Sequence, residues 1–145
     1  MKTKQFLKAL DHDRIVAAIG EAEGRSRGEV RVHVSNQPPD DVQKAAAAQF
    51  ERLGMTATAL RNGVLIYVVP PAQQFAVIGD LAIHERCGAG FWGAVAQAME
   101  DDFRAGRFTD GIVKGVTRVG EALATHFPRT DHADVNELAD QVTED

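Results

Sequence analysis

A single cysteine, Cys87, leaves the 145-residue chain without an internal disulfide. The chain also lacks any run of about 18 apolar residues, so no transmembrane segment is expected. The apolar patch after Met1-Lys2-Thr3-Lys4-Gln5 is cut short by Asp11, His12 and Asp13, which excludes a signal peptide and makes the cytoplasm the expected location. Several motifs are missing. There is no Gly-x-x-x-x-Gly-Lys-Ser/Thr, no Gly-x-Gly-x-x-Gly after a strand, no Gly-x-Ser-x-Gly, no Cys-x-x-Cys and no His-Glu-x-x-His. P-loop, dinucleotide, hydrolase-elbow, thiol-redox and zincin chemistries therefore have no support. A basic excess is absent too: residues 1–128 hold 15 Lys and Arg against 15 Asp and Glu. A phosphate backbone calls for clustered cations, so no nucleic-acid partner is expected.

What is present is 44% apolar residue content, enough for one core in residues 1–128. The whole net charge of −5 sits in residues 129–145, an acidic tail with six acids (Asp131, Asp134, Glu137, Asp140, Glu144, Asp145) and one base, Arg129. Its few apolar residues, Val135, Leu138 and Val142, suggest a short solvated helix or a disordered tail, whose removal would shift melting by only a few degrees.

Phe6, Leu7 and Leu10, then Ile15, Val16 and Ile19, follow helical spacing to about Glu23, with Asp11 or Asp13 capping a turn between them. Glu29 to Val34 alternates with period two, which predicts a half-buried strand with His33 on its polar face. Asp40 or Asp41 starts a helix with Val42, Ala46, Phe50 and Leu53 on one stripe, ended by Gly54. After the Arg61-Asn62-Gly63 turn, Val64 to Val69 is apolar throughout, as expected of a central strand, and Pro70-Pro71 leads back into Phe75 to Ile78 as an antiparallel hairpin. Two amphipathic helices follow, one with Phe91, Trp92, Val95, Met99 and Phe103, the other with Ile112, Val116, Val119, Leu123 and Phe127. Gly111, Gly115 and Gly120 in or near the second predict close helix-to-sheet packing, with the close approach of a ligand as the alternative. The order helix, strand, helix, strand, strand, helix, helix predicts an α/β fold: a compact three-layer α/β/α domain with a small mixed β-sheet, the first two strands parallel by a right-handed crossover.

Chemistry gathers at Gly79-Asp80, where a strand end meets Ile83-His84-Glu85 and the glycine-rich Gly88-Ala89-Gly90. Strand ends that feed helices are where α/β ligand crevices open. Asp80 with Glu85 would offer hard oxygens to Ca²⁺ or Mg²⁺; alternatively Asp80 bonds the amides of its own turn. Glu100, Asp101 and Asp102 fan around a helix and are expected to face solvent. Cys87 beside Arg86 has no identifiable base and is expected to be inert.

Three stretches carry a resemblance: Arg61-Asn62-Gly63-Val64-Leu65-Ile66-Tyr67-Val68; Phe75-Ala76-Val77-Ile78-Gly79-Asp80; and Phe91-Trp92 with Phe103-Arg104-Ala105-Gly106-Arg107-Phe108 and Gly111-Ile112-Val113-Lys114-Gly115-Val116. Together they are similar to the TPM domain family over residues 10–128. The resemblance implies an α/β/α domain serving assembly or repair of membrane complexes. For some members it also implies acid phosphatase activity and calcium binding. Ala82 and Cys87-Gly88-Ala89-Gly90 depart from the family where many members carry another glycine and an acidic or proline turn. Glu29, Arg61, Asn62 and Asp80 match its candidate ligand-binding positions. The function expected is a non-catalytic interaction or accessory module with a membrane-associated protein partner. The alternative is a divalent-metal-dependent phosphatase using Asp80, with Glu85 or Glu29 holding the ion and Arg61 the phosphate.

Overall fold

The computed structural model describes residues 1–129 and 142–145. In chain order its elements are α1 (Thr3–Ala9), α2 (His12–Gly24), β1 (Glu29–Val34), α3 (Val42–Arg52), β2 (Gly63–Val69), β3 (Gln74–Gly79), α4 (Leu81–Cys87), α5 (Ala89–Arg104), α6 (Phe108–His126) and β4 (Val142–Glu144). α2 and α3 start where side-chain oxygens meet orphan amides: Asp11 accepts from the amide of Arg14 at 3.1 Å, and Asp41 from those of Gln43 and Lys44. Gly54, at φ 72°, closes the region after α3 in the left-handed conformation that other residues avoid.

The four strands lie in the order β3-β2-β1-β4. As expected, β1 and β2 run parallel, Glu29 opposite Gly63, and β3 returns antiparallel with Val64 opposite Gly79. One sheet face carries Val30, Val32, Val34, Val64, Ile66 and Val68 against Ile15, Ile19, Ile112, Val116 and Leu123. The other carries Leu65, Tyr67 and Val69 against Ala46 and Phe50 of α3. Both faces of β2 are therefore dry, which is why its sequence shows no polar alternation.

Four sequence expectations change. First, β1 is buried at all six positions rather than half-buried, and His33 is 2% exposed. At its carboxyl half a fourth strand covers it: Val142, Thr143 and Glu144 pair parallel with Val32, His33 and Val34 in turn. Second, the end of the acidic tail is thus a sheet strand; the helix-or-disorder reading of residues 130–141 lies outside the described residues. Third, a short helix, α4, follows Asp80, an element absent from the expected order. Fourth, the glycines of α6 serve helix-to-helix contact. A Cβ at Gly111 would sit 2.6 Å from Phe103, at Gly115 2.5 Å from Met99, and at Gly120 2.7 Å from Ala22. Small residues let α5 and α2 approach α6 in a way the sheet does not require.

Candidate functional site

The Arg61-Asn62-Gly63 turn precedes β2, and Gly79-Asp80 follows β3; the antiparallel hairpin brings the two together. The amide of Asp80 donates to the carbonyl of Gly63 at 2.9 Å, fixing the approach. Arg61, at φ 51°, turns its side chain back so that Nε donates to Asp80 Oδ2 at 2.7 Å and Nη2 to Oδ1 at 2.9 Å. Asp80 is 6% exposed and also accepts from the amide of Leu81 at 2.7 Å, as the N-cap of α4. Asp80 thus does bond an amide of its own turn, and a bidentate guanidinium is added to it. Bidentate Arg–carboxylate pairs are both stronger and more directional than single ones.

Asn62 is fully buried; its amide nitrogen donates to the carbonyl of Arg27 at 3.0 Å, which ties the turn to the entrance of β1. Glu29 is buried as the first residue of β1. Glu85 is exposed on α4. Arg61 and Asp80 are brought into direct contact, Asn62 supports the turn beneath them, and Glu85 faces solvent. Asp80 Oδ1 already accepts two bonds and Oδ2 one. A Ca²⁺ or Mg²⁺ ion there would have to displace the guanidinium, so the donors present do not fit a cation as they stand. Among the described residues, no group of three or more His, Cys, Asp or Glu side chains converges as metal ligands do.

Beside the pair lie a half-buried indole and an exposed leucine. A Cβ at Gly79 would meet the Trp92 ring at 2.6 Å, so that glycine exists to admit the indole. Trp92 stacks on His84 with centroids 6.0 Å apart and meets Phe91 edge-on at 5.0 Å. Leu81, beside Asp80, is 67% exposed. Burial raises the thiol pKa of Cys87 above its ordinary value, which lowers its reactivity. The run Gly88-Ala89-Gly90-Phe91-Trp92-Gly93 has the glycine spacing of a dinucleotide loop, but it joins α4 to α5 and follows no strand.

Gly79-Asp80 is the carboxyl end of β3, but β3 runs against β1 and β2, so this is the amino end of the parallel strands. Their carboxyl end carries a polar cluster that the sequence reading missed. His33 Nε2 donates to Asp145 Oδ1 at 2.8 Å, and the Ser35 hydroxyl and the Asn36 amide donate to Oδ2 at 2.7 and 2.8 Å. The Thr143 hydroxyl lies 2.8 Å from His33 Nδ1, and the imidazole stacks on Tyr67 with centroids 5.8 Å apart. Burial pushes the Asp145 carboxyl up, but the bonds from His33, Asn36 and Ser35 outweigh it and hold the group below its ordinary value. No local pattern announces contacts made across 110 residues.

Asp102 is a second correction. It is buried, not solvated: Arg107 donates from Nε and Nη2 to Oδ1 at 3.0 and 2.9 Å, and Lys114 Nζ stands 2.9 Å from Oδ2. Lys114 foremost and then Arg107 hold this carboxyl below its ordinary value. The cluster clamps the turn between α5 and α6. The available signal was Arg107 five residues on.

A family model of the TPM domain matches residues 1–122. No curated protein matches the chain. Among solved structures, the BA42 protein of the psychrophilic bacterium Bizionia argentinensis is 36% identical, with 92% of each chain covered and a TM-score of 0.85. The N-terminal domain of the cg2496 protein of Corynebacterium glutamicum is 12% identical, over 85% of this chain and 80% of its own, with a TM-score of 0.61, and speaks for the fold alone.

Proposed function

The chain belongs to the TPM domain family, and from that premise we propose that it is a non-catalytic interaction or accessory module, serving the assembly or maintenance of membrane-linked protein complexes from the cytoplasmic side. The observation that carries this reading is the bidentate Arg61–Asp80 pair. The phosphatase alternative gives Asp80 the ion or the attack and gives Arg61 the phosphate. Here each group holds the other, and Asp80 also caps α4. Both residues then have a structural reason to be where they are. Leu81 beside them, 67% exposed, supplies an apolar contact a protein partner would cover. No helix among the described residues is long and apolar enough to cross a membrane, so on this reading a membrane is reached through a partner.

Two measurements test it together. Hydrolysis of p-nitrophenyl phosphate with and without millimolar Ca²⁺, Mg²⁺ or Mn²⁺ should stay at the buffer rate. Metal-dependent turnover that disappears in Asp80→Asn would overturn the proposal in favour of the phosphatase. Capture from a detergent-solubilised membrane fraction should retain a defined partner on the unmodified chain and lose it on Leu81→Glu, a change at an exposed side chain that leaves the core alone.

A further inference from the structure

The carboxyl end of β1 is built as a cradle for a carboxylate. Its donors belong to the body of the fold: His33 and Ser35 are each 2% exposed, and the Asn36 amide follows them. Each is held in place independently of the tail. The His33 ring lies on Tyr67 of β2, the Ser35 amide donates to the carbonyl of Val68 at 2.8 Å, and the Ser35 hydroxyl accepts from the Gln37 amide at 3.3 Å. The strand that carries the filling group, by contrast, is short. β4 has three residues, none fully buried, paired with Val32 to Val34. The register defines what is recognised. Thr143 lies opposite His33 and Asp145 two residues on, so both face the imidazole, as alternate positions of a strand do.

We propose that this edge of β1 is a strand-docking groove for an extended segment of a partner protein carrying a hydroxyl residue and, two positions later, an acid. The chain's own Val142 to Asp145 occupies the groove until such a segment displaces it. Strand addition gives affinity through main-chain bonds, and alternate side chains give specificity; here the hydroxyl-x-acid pair reads His33, Ser35 and the Asn36 amide. The groove deepens the interaction reading and rests on it for its use, yet it lies at the opposite end of the parallel strands from Arg61 and Asp80 and is tested separately.

The test is fluorescence anisotropy with a fluorescein-labelled, C-terminally amidated peptide of sequence Gly-Gly-Val-Thr-Glu-Asp and the full chain. In the unmodified chain the tethered segment competes at an effective concentration of about a millimolar or more, so added peptide should bind poorly. Asp145→Lys empties the cradle and should bind the peptide at least about tenfold more tightly. A peptide ending in Asn should lose that gain, as should Ser35→Ala placed in the Asp145→Lys chain. If the double variant fails to fold, the Asn peptide still decides. Absence of peptide binding to a folded Asp145→Lys chain, or equal binding of the Asp and Asn peptides, overturns the proposal. Either result leaves the capture experiment with Leu81→Glu untouched, so the two readings fail separately.

Discussion

Asp80 and Asp102 meet the same difficulty, a carboxylate taken out of water, and each meets it with an arginine fork rather than with solvent. Asp102 adds Lys114 and has its pKa held down as a result. The unfolded chain binds its proton near the ordinary aspartate value of about 3.9, above the folded one. The cluster's stability is therefore fully present above that value and is lost as pH falls through the lowered folded value. In denaturant titrations, the stability gap between the unmodified chain and Asp102→Asn should be constant from about pH 5 to 7 and close as pH drops below about 4. A gap that persists unchanged in acid would remove the carboxylate as its source. Asp80→Ala should cost about 1 kcal/mol from the lost cap alone, read as a lower denaturation midpoint. Gly79→Ala should cost about 1–3 kcal/mol, because its Cβ would fall 2.6 Å from the Trp92 ring. A variant as stable as the parent would mean that the indole moves aside freely.

At the scale of elements, β2 is the part on which the rest depends. Ile66→Asp would place an unpaired carboxylate between α2, α6 and the sheet, at a cost of several kcal/mol against a usual margin of about 5–15. The expected readout is loss of soluble, cooperatively unfolding protein. This strand was legible because a run with no polar residue has one explanation, cover on both faces. The caps at Asp11 and Asp41 and the hairpin at Pro70-Pro71 were legible because their chemistry is local. β1 was misread for a related reason: Arg31 and His33 imitate a solvent-facing alternation, while the cover of His33 comes from Tyr67 and from residues 143 and 145. Asp80 was legible as a residue bonding an amide of its own turn, but the helix it caps was not, and its partner Arg61 was assigned to a phosphate in the alternative reading. Sequence spacing cannot tell that a φ of 51° folds the guanidinium back onto the neighbouring strand end.

For the molecule as a whole, the sheet closes with the last residues described. Deleting residues 142–145 removes the bonds that His33, Ser35 and the Asn36 amide make to the Asp145 carboxylate, and a bond to a charged group contributes about 1.5–3 kcal/mol. With 1 kcal/mol worth roughly 2–8 °C, the melting temperature should fall by on the order of 5–10 °C. The transition should stay single, because both apolar layers lie within residues 1–129 apart from Val142 at the rim. An unchanged midpoint would return the tail to the solvated role its composition suggests.

That late strand also sets a schedule for synthesis. His33 is made 110 residues before Thr143. At about 5–20 residues per second, the helices and three strands of the body are all translated on the order of seconds before β4 exists. During that interval β1 is an open edge with donors aimed outward, the kind of surface that pairs with whatever extended chain is near. A nascent chain stalled short of residue 142 would therefore present a sticky sheet, and a segment supplied by another polypeptide could be seated before the chain's own arrives.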